Sequence, residues 1–381
     1  MKIQGVTLTG GIKLNTSAEP APSPTPPGPS KFVVGAHGND DAGDASGSAY
    51  VYNLDGTGEV KITASDGAAS DLFGYRVGMS STKIVVGSYL DDDRGSDSGS
   101  VYVYNLDGTG EQKITASDGA DNDQFSNSVA ISDTKVAVGA TGNDNNKGAA
   151  YIYNTDGTGE VKITASDAAT NDRFGSAIAV SDTKVLVGRI GAFGAAYIYN
   201  LDGTGEVKIT ASDGADNDQF GSSVAMTGTK IAVGSLQNDN SGDNSGAVYV
   251  YNTDGTGEQK ITASDAATQN LFGSSVAMSD TKIVVGSEGV NGYAGAVYVY
   301  NTDGTGEVKI TASDGAAGDY FGRTVAINGD KVIVGAYADD DAGSKSGAVY
   351  VYNTDGTGEV KITASDAATN DRFGLPVASV A

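Results

Sequence analysis

From Lys31 to its end the chain is one unit written seven times, and that repeat leaves few folds open to it. The mark is a phenylalanine, at Phe73, Phe125, Phe174, Phe220, Phe272, Phe321 and Phe373, with spacings of 52, 49, 46, 52, 49 and 52 residues. Four signatures recur around it in fixed order: FGSSVAMS, TKIVVGS, GAVYVYN and, after the turn TDGTG, EVKITAS. A period near 50 residues with four strand-like runs is the size of one β-propeller blade.

Each run reads as a strand for a physical reason. In VYVYN, Tyr102 and Tyr104 fall on one face and Val101 and Val103 on the other, so both faces suit burial between neighbouring blades. FGSSVAMS is small enough for an innermost strand, where blades converge. EVKITAS alternates Val60 and Ile62 with Lys61 and Thr63. That fits an outermost strand, with Glu59 and Lys61 blunting the exposed edge. Asp-Gly stands between the third and fourth runs of every copy, from Asp55-Gly56 to Asp355-Gly356, as a hairpin signal in which both residues tolerate positive φ. The first copy begins at its second strand, KFVVGA, and the last ends at its first, FGLPVASVA. The expected fold is therefore an all-β, seven-bladed propeller of four-stranded antiparallel blades. Pairing of the N-terminal strand (31–36) with the C-terminal strand (373–381) closes the ring.

Two short regions precede the propeller of residues 31–381. Residues 1–13 alternate weakly, with Ile3, Val6, Leu8 and Ile12 as the apolar members, and read as an anchor peptide ordered by docking on another protein. Residues 14–30 carry six of the seven prolines and read as a semi-rigid linker with a reach of roughly 50 Å. No basic, apolar leader opens the chain, so the expectation is synthesis without an export signal.

The repeats resemble the FG-GAP repeat family, whose propellers also form the heads of integrin α-subunits. The resemblance covers residues 31–381 and rests on the Phe-Gly start, the V-G-[AS] strand end and segments such as SDGAAGDYFGRTVAINGDKVIVGAYADDDAGSKSGAVYVYN. It implies a propeller that serves as a binding platform outside the cell. Integrin-type repeats carry a D-x-D-x-D-G calcium loop after the Phe-Gly strand. Here that connection is SDTK, SSTK, TGTK or NGDK, so those calcium sites do not carry over. The anchor and proline-rich tether are similar to virion structural proteins of marine tailed phages. That resemblance implies a virion appendage, assembled in the host cytoplasm and exposed outside the cell, with residues 1–13 meeting other virion proteins. The alternatives are a secreted or surface bacterial adhesin and a polysaccharide-degrading propeller.

The net charge of −24 argues against nucleic acid and anionic membranes as partners and favours cations. Without cysteine there is no thiolate chemistry. Two connections per blade should lie at each end of the ring. The Asp-Gly hairpins and the TK turns share one end and are nearly uniform. The loops between VVG and GAVYVYN lie at the other end and differ from copy to copy, which points to that end as the partner-binding one. Its candidates for a host glycan or protein are His37, Asn39, Tyr89, Arg94, Asn143, Asp144, Arg189, Phe193, Asn238, Asp239, Asn291, Tyr293 and Tyr337. The acidic runs Asp40-Asp41, Asp91-Asp92-Asp93 and Asp339-Asp340-Asp341 are candidate Ca²⁺ ligands, since that ion takes six to eight oxygens. In the SDGAxxDxFG segments, Asp66 and Asp71 are expected to satisfy backbone donors. One histidine and six arginines in scattered contexts offer no catalytic constellation, so no enzyme is expected.

Overall fold

The computed structural model describes residues 30–379. The expected anchor with Ile3, Val6, Leu8 and Ile12, the linker as far as residue 29, and residues 380–381 of the closing strand lie outside the described residues. The repeat forms seven sheets, each of four antiparallel strands. Blade 1 is made of Lys31–Ala36, Ser48–Asn53, Val60–Ile62 and the C-terminal Val377–Ser379. Its latch is as the sequence implies: Val34 faces Val377 and Phe32 faces Ser379. Blade 2 runs inside to outside as Arg76–Met79, Lys83–Ser88, Ser100–Asn105 and Gln112–Ile114. Blades 3 to 7 repeat this order.

The apolar core lies between blades. Val33, Val51 and Ile62 of blade 1 pack against Phe73, Ile84, Val86 and Tyr102 of blade 2, and six equivalent clusters complete the ring. The tyrosine face of a blade meets the preceding blade and the valine face meets the next. Phe73 sits edge-on to Tyr102 and Tyr104, with centroids 5.3 and 6.2 Å apart. Each fully buried side chain of this kind contributes about 1.5–3 kcal/mol of transfer free energy. Close approach explains the glycine of VVG. A Cβ on Gly286 would overlap the carbonyl oxygen of Gly322 in the next blade.

The outermost strands correct the edge reading. Only three residues of EVKITAS pair as strand, because the chain then crosses to the neighbouring blade. Its polar residues build two belts between blades. In the first, Ser65 donates to Glu111 of the next blade at 2.5 Å, and Tyr104 donates to the same carboxylate at 2.9 Å. The last of the seven links, Ser365 to Glu59, joins blade 7 to blade 1. In the second belt, Asp66 accepts from Tyr102 and Lys113 of the next blade at 2.8 Å each. Glu59 and Lys61 are thus cross-links between blades, rather than guards of a free edge. Asp66 bridges blades as well, while Asp71 does cap a backbone donor, Ala68 N–H, at 2.7 Å.

The hairpins are turns, with one difference from expectation. Gly56 and Gly58 take positive φ (81° and 72°), whereas Asp55 does not. The Asp55 carboxylate instead accepts from the Thr57 N–H at 3.0 Å and hydroxyl at 2.6 Å.

Candidate functional site at the loop end of the channel

The acidic runs share one local design. The first position is buried (Asn39, Asp91, Asp339), the second caps a turn and the third faces a lysine. Asp91 accepts from Ser100 and Tyr102, Asp92 caps Asp97 N–H at 2.7 Å, and Lys113 reaches Asp66, Asp91 and Asp93 at 2.8, 3.0 and 2.5 Å. Blade 7 repeats it: Asp340 caps Lys345 N–H, and Lys361 bonds Asp314, Asp339 and Asp341 at 2.7, 2.8 and 2.6 Å. In blade 1, Asp40 caps Ala45 N–H, and Lys61 pairs with Asp41 and Asp366. Carboxylate oxygens of Asp314, Asp339 and Asp341 lie within 4.8 Å of one another, a spacing suited to a cation. The cation they surround is the Lys361 ammonium. At one oxygen from each, the three carboxylates supply three of the six to eight oxygens Ca²⁺ takes. Burial lowers the Lys361 pKa, but the three carboxylate bonds outweigh it and hold the group above the ordinary lysine value.

Several proposed partner residues belong to this scaffold. Asn39, Asn143 and Asn238 occupy the position of Asp91 and are buried; Asn143 and Asn238 each donate to an aspartate (Asp123, Asp218) and accept from a lysine (Lys162, Lys260). Arg189 is buried between Asp172 and Asp167. These four are internal and cannot meet a partner directly. Arg94, Asp144, Phe193, Asp239 and Asn291 are exposed on separate loops and form no common site. Arg94 bonds Thr115, Asp144 pairs with Lys147, and Asp239 caps Asn244 N–H.

Tyr89, Tyr293, Tyr337 and His37 do come together, with residues that the loops alone do not reveal. A cavity of about 600 Å³ at the loop end of the channel is lined by Tyr75, Tyr293, Tyr320, Tyr337, Arg323 and Arg372, with His37 and Glu288 among its other walls. It adjoins a second cavity of about 390 Å³ that Arg76 lines, and Arg323 and Leu375 border both. Tyr293, Tyr320 and Tyr337 form a ladder with centroids 5.0 Å apart at each step. Tyr75 lies 4.1 Å from Tyr89, and the Arg76 guanidinium stands 4.3 Å from the Tyr75 ring.

All of these residues come from blades 6, 7, 1 and 2, which are neighbours in the closed ring. Two residues after the Phe mark stand Tyr75, Asn127, Ser176, Ser222, Ser274, Arg323 and Leu375. Directly before the mark stand Leu72, Gln124, Arg173, Gln219, Leu271, Tyr320 and Arg372, all with φ between 52° and 59°. Three residues after the mark, Ser128, Ser223, Ser275 and Thr324 donate to a carbonyl of the next blade at 2.7–2.9 Å. Arg76 replaces that hydroxyl and sends a guanidinium into the channel instead. The signal was therefore in the inner-strand positions of the repeat, compared copy against copy. The arginines are scattered in sequence, but the ring brings Arg76, Arg323 and Arg372 to one mouth.

The local charge runs against that of the molecule. Arg76, Arg323, Arg372 and Lys345 face a single lining carboxylate, Glu288, which pairs with Arg323 at 2.8 Å. Among the described residues no carboxylate lies within ion-pair distance of Arg76 or Arg372. Burial pushes the Glu288 carboxyl up, partly offset by Arg323. Burial lowers His37 to about 4, with Arg372 and Arg76 adding to it, so the ring is neutral at pH 7. A tautomer protonated at Nδ1 satisfies both its neighbours, the Leu375 carbonyl at 3.4 Å and Arg372 Nη1 at 3.3 Å.

A closed ring of seven four-stranded blades defines a β-propeller, a fold that with this repeat suggests ligand binding or adhesion. The family model for the FG-GAP repeat matches residues 57–104, 109–153, 158–199, 204–251, 256–300 and 305–352, and the chain belongs to that family. Each match starts at the hairpin of one blade and ends in the third strand of the next. The seventh unit is split between the two ends of the chain, which explains six matches to seven blades. No curated protein matches the chain.

Proposed function

We propose that this chain is a virion structural or appendage protein that displays its propeller, for decoration or for binding a host-surface glycan or protein. The observation that carries the binding half is the differentiated mouth. At the positions of Tyr75, Arg76, Tyr320 and Arg323, blades 3, 4 and 5 place Asn, Ser, Ala or Gln, with Arg173 of blade 4 the exception. The loop end then meets the partner, and the hairpin end faces the particle. Attachment runs through residues 1–13 to other virion proteins, with the proline-rich segment as spacer. Assembly takes place in the host cytoplasm, and the propeller is exposed outside the cell after release.

Binding is favoured over polysaccharide cleavage by the chemistry of the lining. Glycoside hydrolysis uses two carboxyl groups across the scissile bond. Among the described residues lining the 600 Å³ cavity Glu288 is the one carboxylate, and it is tied to Arg323.

Deletion of residues 1–13 tests the attachment. The truncated chain should retain its melting transition and be absent from purified particles by mass spectrometry, whereas the full chain is present. Incorporation of the truncated chain at the normal level would overturn the attachment, and absence of the full chain from particles would favour the adhesin.

A further inference from the structure

We propose that the mouth formed by blades 6, 7, 1 and 2 is a binding site for an acidic saccharide, with the tyrosines holding sugar rings and Arg76, Arg323 and Arg372 holding a carboxylate or sulfate on them. The inference rests on the loop end being the ligand end, and adds the chemistry of the ligand.

Three observations carry it. The first is charge. The chain has 48 acidic residues to 24 Lys and Arg, and the belt lysines are neutralised by aspartates of the preceding blade. Against that background, three arginines and Lys345 around one glutamate make a cationic spot inside an anionic surface. A guanidinium with no protein carboxylate is suited to a carboxylate or a tetrahedral oxyanion, either of which it binds through two N–H groups.

The second is shape. A cavity of about 600 Å³ falls in the range of small-ligand pockets and is far larger than an inorganic anion needs. Its wall is the ladder Tyr293–Tyr320–Tyr337, with Tyr75 and Tyr89 beyond it. A tyrosine presents an apolar face and a hydroxyl, which matches the C–H face and hydroxyl rim of a pyranose. An acidic peptide would meet the arginines but offers no pyranose face to the tyrosines, and the polyglutamate arm of the test below separates the two.

The third is dispensability to the fold. Other blades build the same positions with Ser, Asn or Gln, so the scaffold does not demand Tyr75, Arg76 or Tyr320. In blade 2 the arginine even displaces a hydroxyl that elsewhere ties neighbouring blades together.

The test is calorimetry on the full chain with oligogalacturonate, a sulfated galactan oligosaccharide and a sialylated oligosaccharide. The uncharged controls are the methyl ester of the oligogalacturonate and a neutral galactan, and a polyglutamate peptide supplies the charge without the rings. Variants take the residue of another blade, Arg76→Ser and Tyr320→Gln, with Asp133→Asn at the opposite end as control. Melting curves confirm that each variant is folded. At least one acidic saccharide should bind, its uncharged counterpart at least tenfold more weakly, and polyglutamate more weakly still. Arg76→Ser and Tyr320→Gln should each weaken binding at least tenfold, and Asp133→Asn should leave it unchanged. Whether the uronate, the sulfated or the sialylated sugar binds identifies the source of the anion.

Equal binding of acid and ester, equal binding of polyglutamate, unchanged affinity in both mouth variants, or no acidic saccharide bound would each overturn the proposal. Failure of the ligand chemistry is separable from failure of the loop-end reading by a cell-binding assay. If Tyr320→Gln abolishes attachment to cells while no acidic saccharide competes, the loop end is the ligand site and the saccharide assignment is wrong. If attachment is unaffected by Tyr320→Gln, the loop-end reading itself falls.

Discussion

The two ends of the central channel are built from the same repeat and obey different rules. At the TK end, Ser80, Ser132, Ser181, Thr227 and Ser279 each accept, through the hydroxyl, the N–H of a lysine three residues on. Those lysines in turn donate to Asn105, Asn154, Asn200, Asn252 and Asn301. Five blades thus share one turn, and its residues are accounted for by the turn itself. At the loop end, the tyrosines and Arg76 and Arg323 of blades 6, 7, 1 and 2 have no like residue at the matching inner-strand positions of blades 3, 4 and 5, where Arg372 alone has a counterpart in Arg173. A side chain present in every blade is explained by the blade. One present in a few adjacent blades calls for a reason outside it.

The comparison breaks first if repeated positions prove dispensable. Gly286→Ala should be the most damaging single change, because its Cβ has nowhere to go but into the backbone of blade 7. We expect a loss of about 3 kcal/mol or more, read as a large fall in melting temperature or as insoluble protein. Gly228→Ala at the TK end is the matched control. No heavy atom lies within 4 Å of its Cβ position, so the melt should be unchanged or slightly higher. Equal effects at the two glycines would show that blade packing is looser than the interlocked cores imply.

A smaller effect is expected from the lysine cages. Lys361→Met leaves Asp314, Asp339 and Asp341 facing one another. The pairs are partly exposed, so the loss should be about 2 kcal/mol, below that of a fully buried pair. The pH dependence has a definite sign. Burial raises the Asp314 pKa, but the bonds from Lys361 and Tyr350 outweigh it and leave it below the ordinary value. Its contribution is therefore complete above the unfolded value of about 3.9 and is lost as pH falls through the folded one. Lys361 is raised, so its contribution is complete below the unfolded lysine value of about 10.4. The difference in stability between wild type and Lys361→Met should be flat from about pH 5 to 9 and shrink below about pH 4, by denaturant titration. Asp167, held near 2 by Lys208, Tyr197 and Arg189 against the opposing effect of burial, should carry the same acid dependence between blades 3 and 4. A wild-type melting temperature that falls on adding EDTA would show that a divalent ion stabilises the fold, and loss of that fall in Asp341→Asn would place the ion at the cage.

Regularity made the architecture legible. Phe spacing, the alternation of VYVYN and the two incomplete end copies carry strand order and latch, because each is a local pattern with one geometric outcome. The belts were less legible, since Glu59 and Asp66 find their partners about 300 and about 40 residues away in sequence, each in the adjoining blade. Loop variation pointed to the end that holds the tyrosine–arginine mouth, yet it favoured Asn39, Asn143, Arg189 and Asn238, which are buried in the scaffold. Loop length hid the equivalence of the three asparagines. The mouth itself lay in the inner strands, at positions so small in most copies that Tyr75 and Arg323 pass for noise until the ring places them together.

The smallest expected change in stability is the one that sharpens the comparison most. Arg76→Ser gives blade 2 the hydroxyl that Ser128, Ser223 and Ser275 use to bind the carbonyl of the next blade. The corresponding carbonyl is that of Ser126, and one such bond contributes about 1 kcal/mol. It also removes a guanidinium that burial disfavours in its charged form and that Arg323 repels. We expect the variant to melt at or slightly above the wild-type temperature, by no more than about 1 kcal/mol, while ligand binding at the mouth is lost. Higher stability together with lost binding is the signature of a residue kept for function at the expense of the scaffold. A clear loss of stability would instead place Arg76 among the repeated parts, holding the channel open, and the contrast between the two ends would then be one of shape alone.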